Sequence, residues 1–535
     1  MSTRGDARDL SAEGADGAQG AEAGLDAAGG AGGQHRAADA GPAVPRGSWS
    51  AAGALTAVLV ALGGRFGFHR DELYFIAAGH HPAWGYPDQP PLVPLLAAGW
   101  SSVVADNLWA FRLVPALVAG AIVVVGSLTS RAMGGTRAEQ VATAVATAVC
   151  ALVGAAGPLF STTTFDVLGT ATTLLLLVRA LQAPPGPQLR AWVWVGLAAG
   201  VTMQIKTLIG FAAVAALVGL LIAGPREPLR RPGPYLAAVI AALLAAPNLL
   251  WQAANGWPQI EMGRQIAAGS SGTSTERWLV VPMQLLIVGP LLGVVLVIGL
   301  VELLRAGSPA SRWRPYRWIG VAYVAMLVIV VVTGGKPYYS AGLMLPLLAA
   351  GVPTVLRWAS ASSAARWAIG VLLAVHVVGS ALITLPLTAP GSAVTEFANG
   401  PNPDQGETVG WDRFVAGVWS RATLGTAQAV VTGNYGEAGA LDQARRRGVP
   451  GVPPVYSGHN AYAEWGPPPE TVQTVAFVGW FDPAELSRWF GRCDETGVVD
   501  NGYGLDNEEQ GAPIRLCRDR RLPWSQLWPQ LEHLG

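Results

Sequence analysis

The chain is predicted to be an α-helical polytopic membrane protein with a C-terminal α/β domain, and three observations predict it. Of its 535 residues 51% are hydrophobic and only 13% charged, with a mean hydropathy of +0.36; a soluble chain of this length carries roughly a quarter charged residues. Apolar runs such as LAAVIAALLAAPNLL and PMQLLIVGPLLGVVLVIGLVELL have the length and freedom from charge that a bilayer demands. After residue 387 the composition turns to Gly, Pro, Asp, Glu and Trp. Basic and acidic residues balance at 35 each, so nothing in the charge points to nucleic acid as a partner.

Residues 1–47 hold few large apolar side chains and are expected to be a disordered cytoplasmic tail. The tail lacks the basic-then-apolar start of a cleavable signal peptide. Residues 48–387 form the expected transmembrane domain. Apolar spans are expected at approximately 49–66, 112–130, 139–157, 167–181, 191–204, 208–223, 234–251, 279–303, 318–333, 340–356 and 367–387, about eleven within a range of 10–13. Short loops rich in arginine, around Arg131 and Arg137, Arg226 to Arg231, Arg305 to Arg317, and Arg357 and Arg366, mark the cytoplasmic side. The longer loops 67–111 and 252–277 then lie outside. An odd span count puts the N-terminus inside and residues 388–535 outside, in the plasma (inner) membrane. In that C-terminal region AVVTG, TVAFVGW and PIRLC read as strands and PAELSRWF as a helix, enough for a small α/β domain. Cys493 and Cys517 fall there, where the compartment permits a disulfide.

Ionisable residues are scarce inside the spans and gather at their outward ends. An ion-coupled transporter needs carboxylates or broken helices near the midplane, so this pattern favours chemistry at the outer interface. A lipid or sugar transporter and a noncatalytic envelope scaffold are the competing classes. The first outer loop is the richest stretch, with Asp71 and Glu72 adjacent in RDELYF and Asp88 in GYPDQPPL. These acids are candidate catalytic groups or, alternatively, helix-start residues that offset the macrodipole. His69, His80 and His81 lie nearby as polar groups or metal ligands, and a divalent metal is the one cofactor left open. Only two lysines, Lys206 and Lys336, survive in an arginine-biased chain, both at outward span ends. Retention of lysine suggests a compact charge facing an anion, against the alternative of ordinary snorkelling. Arg70 is a further outer-face cation, and Tyr338 and Tyr339 either meet a headgroup or belong to the interfacial aromatic belt.

The combination of RDELYF and GYPDQPPL resembles the GT-C superfamily, specifically bacterial glycosyltransferase family 39, which is related to protein O-mannosyltransferases and polyprenyl-phosphate aminoarabinose transferases. The resemblance continues through PNLLWQAANGWPQIE (247–261), GGKPYYSAGLMLP (334–346), TGNYGEAGALD (432–442) and SGHNAYAEWGPP (457–468). Asn255 departs from it, standing where the family usually carries His before GWP, and Lys206 stands where it shows an Asn-Lys pair. The resemblance implies a GT-C fold and inverting transfer of a sugar from a polyprenyl-phosphate donor to a hydroxyl of a protein, lipid or glycan acceptor. It favours Asp71 as the base, with Glu72 in support, and matches Asp166 of STTTFDVLGT to a second acidic position. Asn434, Glu437, His459 and Asn460 follow strand-like runs, where open α/β sheets bind ligands, and are candidate acceptor contacts or structural turn residues.

Overall fold

The structure, a computed structural model, describes residues 44–105, 107–269, 274–424 and 426–535. Most of the expected tail, residues 1–43, and positions 270–273 of the second outer loop lie outside the described residues. Helices dominate up to Thr384. Among the described residues six are long and apolar enough to cross a membrane: Leu108–Ala132, Thr162–Gln182, Pro232–Ala254, Arg314–Thr333, Pro337–Ala361 and Ser363–Thr384. A seventh span is counted if the bent pair Arg277–Val288 and Pro290–Leu304 is taken as one.

The remaining expected spans correspond to helices that are shorter, interrupted or, as in Pro185–Met203, less apolar. The run 279–303 reads as one continuous apolar segment, yet it turns by 110° at its centre. Gly289 there adopts a φ of +93°, which L side chains rarely accept, and Pro290 cannot continue the preceding hydrogen-bond ladder. The run 139–157 likewise divides into Arg137–Ala148 and Ala151–Ala156. Helix Ile209–Ala223 is apolar but short. Helix Pro337–Ala361 is the most enclosed of the six and Ser363–Thr384 the least. The enclosed helix meets Pro290–Leu304 through glycines. A Cβ on Gly299 would lie 1.9 Å from Leu347 O, and one on Gly351 would lie 2.1 Å from Val295 O. Small residues that admit such close backbone approach are a usual basis of helix packing in membranes.

The C-terminal region forms a five-stranded sheet in the order β2-β1-β3-β5-β4, with β1 Ala429–Thr432, β2 Val455–Ser457, β3 Val475–Val478, β4 Phe490–Val498 and β5 Pro513–Arg520. The strand-like runs AVVTG, TVAFVGW and PIRLC fall on β1, β3 and β5, and PAELSRWF holds helix Pro483–Trp489. β1 runs parallel to β2 and β3, whereas β5 is antiparallel to both β3 and β4. Cys493 and Cys517 are direct cross-strand partners and form the expected disulfide.

This sheet packs on the loop of residues 67–111. Phe68, Leu73 and Tyr74 share one buried apolar cluster with Val430, Ala438, Leu441, Ala476 and Ile514. Helix Tyr435–Arg446 lies on helix Arg70–His80 through two glycines. A Cβ on Gly436 would meet Arg70 Cβ at 2.7 Å, and one on Gly439 would meet the Leu73 carbonyl carbon at 2.9 Å. The carboxyl ends of β1, β2 and β3 are therefore held over the start of the acidic helix.

Candidate active site

Helix Arg70–His80 starts in a reciprocal cap. Glu72 Oε2 accepts from the His69 amide at 2.8 Å, and His69 Nδ1 accepts from the Asp71 amide at 3.1 Å. Accepting at Nδ1 leaves Nε2 to carry the imidazole proton, 3.8 Å from Asp404. The two adjacent acids then diverge, because successive side chains on a helix point about 100° apart.

Glu72 turns inward and is fully buried. Its carboxylate accepts from Arg112 Nη2 at 2.7 Å and Nε at 3.0 Å, and from the Phe160 amide at 2.9 Å. Every lone-pair direction is occupied, so Glu72 ties the loop to helix Leu108–Ala132 and to Phe160, two residues before helix Thr162–Gln182, and does not line the cavity. Asp71 turns outward. Its Oδ1 accepts from the Tyr435 hydroxyl at 2.9 Å, and it lines a cavity of about 1380 Å³ between the start of helix Arg70–His80, the turn at Lys336 and the loops after β1, β2 and β3.

The same cavity is lined by Arg70, Lys336, Tyr338, Asn434, Glu437 and His459 from the sequence-based set. Lys336 is half-buried. Burial, reinforced by the Lys206 charge, brings its ammonium down to about 8. Burial also lowers Lys206, although the charges of Asp166 and Asp71 oppose it. Lys206 sits 5.2 Å from the Tyr338 ring centroid and 5.3 Å from that of Tyr339. Asp166 accepts from Thr170 Oγ1 at 3.4 Å and interacts with the Lys206 charge. Asp166, Lys206 and Tyr339 thus form a layer beneath the cavity rather than part of its lining.

Arg70 is buried with its guanidinium over the Tyr435 ring, 4.8 Å from the centroid, and pairs with Glu508 and, at 3.7 Å, with Glu407. A cation so matched holds the C-terminal region to the loop and has little charge left for a ligand. Asn434 and Glu437 form a second reciprocal cap. Asn434 Oδ1 accepts from the Glu437 amide at 2.8 Å, while Glu437 Oε2 accepts from the Gly433 and Asn434 amides at 2.9 and 3.0 Å. Burial raises the Glu437 carboxyl well above the usual carboxylate range. His459 Nε2 lies 2.8 Å from Gly535 O, and its ring stacks on His533 with centroids 4.4 Å apart. Burial, with the adjacent His533, holds that imidazole down to about 3 and hence neutral.

Asp88 and Asn460 do not line the cavity. Asp88 accepts from the Tyr74 hydroxyl at 2.8 Å, and burial raises its carboxyl to about 7. Asn460 carries a φ of +51° and its Oδ1 accepts from the Gly535 amide. His80 and His81 lie at the far end of their helix, where His81 stacks on Trp465 at 4.1 Å. Among the described residues no group of three or more His, Cys, Asp and Glu is arranged to hold a metal.

Sequence reading missed Tyr435, Arg112, Asp404, Glu407, Glu508 and Trp480. Arg112 carried a signal, since an arginine inside an apolar span needs a buried partner. Tyr435 stood beside the already chosen Asn434. Trp480 lines the cavity while 69% exposed, and it ends the strand-like run TVAFVGW, where loops after strands meet ligands.

Residues 88–251 match the family described as dolichyl-phosphate-mannose-protein mannosyltransferase. No curated protein matches the chain in sequence. Among solved structures, ArnT from Cupriavidus metallidurans in the apo state is 13% identical with a TM-score of 0.56, over 87% of this chain and 97% of that one. The same protein bound to undecaprenyl phosphate is 14% identical with a TM-score of 0.53, over the same shares. The likeness extends over most of both chains, and the chain is a multi-pass membrane protein with the GT-C fold.

Proposed function

We propose that the chain transfers a sugar, with inversion, from a polyprenyl-phosphate donor to an acceptor hydroxyl at the extracytoplasmic face. The observation that carries the reading is that Asp71 and Lys336, a carboxylate and an ammonium, line one cavity of about 1380 Å³. An acceptor hydroxyl loses its proton as it attacks the anomeric carbon, and Asp71 is placed to take it. The sugar passes through an oxocarbenium-like transition state, as in glycoside chemistry. The bond to the carrier phosphate breaks as the new glycosidic bond forms, and the departing phosphate gains charge. Lys336, with Lys206 behind it, lowers the cost of that charge in a site of reduced dielectric. Asp166 holds Lys206 by its opposite charge. The family matched by residues 88–251 and the undecaprenyl phosphate bound by ArnT support a lipid-phosphate donor. The arginine-rich loops support a cytoplasmic N-terminus and an outer position for residues 388–535.

The reading is tested by mass spectrometry of envelope glycans, lipids and glycoproteins from cells carrying the wild-type chain or Asp71→Asn. A hexose or pentose substituent present with the wild type and missing with Asp71→Asn at equal protein abundance is expected. Identical spectra at equal abundance contradict it.

A further inference from the structure

We propose that Tyr435 is a positioning residue for Asp71, so that the C-terminal region completes a base supplied by the membrane domain. The inference rests on the reading of Asp71 given above and deepens it.

Three observations carry it. The Tyr435 hydroxyl donates to Asp71 Oδ1 at 2.9 Å, across 364 positions of sequence. The phenol is not free to swing: its ring packs against Tyr74 and His459 with centroids 4.7 Å away in each case, under the Arg70 guanidinium. The helix that begins at Tyr435 is seated by Gly436 and Gly439, where any side chain would push it off the acidic helix. Packing therefore fixes the donor, and the donor fixes one oxygen of the carboxylate. The other oxygen is left for the acceptor hydroxyl. Burial and the Asp71 charge push the Tyr435 hydroxyl well above the ordinary tyrosine range, so it stays a donor.

Other ionisable groups act on the same carboxylate and must be held constant. Arg70 and Glu72 flank it on its own helix, and His69, Asp88, Lys206, Lys336 and Tyr338 interact with its charge. Asp404, Glu508 and His459 line the cavity beyond it. Tyr435→Phe keeps the ring and every one of these groups and removes one hydroxyl.

The control is Tyr462→Phe, which removes an equivalent hydrogen bond, from the Tyr462 hydroxyl to Asp442 Oδ2 at 2.9 Å, away from the cavity lining. Purified full chains are assayed for release of undecaprenyl phosphate from undecaprenyl-phosphate-linked mannose, arabinose and aminoarabinose. The rate of carbodiimide labelling of Asp71 at one fixed pH is read in parallel by peptide mass spectrometry. Tyr435→Phe is expected to lower kcat about ten- to a hundredfold with donor KM nearly unchanged, and to label faster at Asp71, whose Oδ1 loses its partner. Tyr462→Phe is expected to leave kcat and the labelling rate as in the wild type. A wild-type kcat in Tyr435→Phe, a loss confined to donor KM, or equal losses of kcat in both variants, overturns the proposal. If the wild type cleaves none of the donors, the transferase reading fails, and the labelling rates alone decide whether Tyr435 holds the Asp71 carboxylate.

Discussion

Replacing Glu72 by Gln separates the two adjacent acids, because the structure gives them opposite duties. The Glu72 carboxylate is fully buried and accepts from Arg112 at two nitrogens and from the His69 and Phe160 amides, while the Arg112 side chain is only 5% exposed. A glutamine keeps one acceptor oxygen and turns its amide donors toward groups that are themselves donors. At least two hydrogen bonds are lost, and a guanidinium remains buried without its counter-charge. Breaking one partner of such a pair costs about 3–5 kcal/mol, a large part of the roughly 5–15 kcal/mol that holds an ordinary domain together. Asp71→Asn keeps the oxygen that receives the Tyr435 hydroxyl, so its stability should change by less than about 1 kcal/mol. Its turnover should fall by about 10²–10⁴-fold, the usual contribution of a general base. The assay pairs thermal unfolding of the detergent-solubilised chain with transfer rate per folded molecule. Glu72→Gln should unfold early but turn over normally when folded in the cold. A Glu72→Gln protein as stable as the wild type yet inactive would refute the division of labour.

Further outcomes follow from the same geometry. Lys336→Ala should raise the donor KM and slow transfer, and Lys336→Arg should restore only part, since a planar fork does not reproduce a compact ammonium; steady-state kinetics decide. Lys336 is charged below about pH 8 and neutral above it, so undecaprenyl phosphate affinity should be full on the acid side and fall as pH rises through that value. Lys336→Arg should remove this dependence, which titration of binding against pH will read. The Cys493–Cys517 bridge closes a separation of 24 residues, and replacing both by Ser should cost about 3 kcal/mol in thermal unfolding. A topology reporter fused at Gly535 should be active only outside the cytoplasm; cytoplasmic activity would reverse the orientation drawn from the arginine-rich loops.

Much of the architecture was legible because the bilayer imposes long uncharged runs, and the strands AVVTG, TVAFVGW and PIRLC carry plain β patterns. The break at Gly289-Pro290 was hidden inside an unbroken apolar run, where composition outweighs two residues whose backbone preference decides the turn. The compartment expected for residues 388–535 permitted the Cys493–Cys517 bridge, whereas the cross-strand placement that forms it was not legible, because no strand was read around Cys493. The acidic helix was found by its motif, but its two carboxylates could not be told apart locally. What separates them is distant: Arg112 lies 40 positions from Glu72, and Tyr435 lies 364 from Asp71. Asn434 and Glu437 were chosen as ligand contacts for their place after a strand, and they do line the cavity. Most of their hydrogen-bonding capacity, however, goes into capping a helix. His80 and His81 were grouped with His69 by proximity in sequence, whereas a helix of 11 residues carries them to its opposite end.

The most direct measurement of the central claim supplies purified protein in liposomes with an undecaprenyl-phosphate-linked sugar and counts both products. The account predicts one undecaprenyl phosphate released for each sugar joined to an acceptor hydroxyl, in the wild type and at least a hundredfold slower in Asp71→Asn. Movement of the intact donor across the bilayer without cleavage, at the same rate in Asp71→Asn, would contradict it.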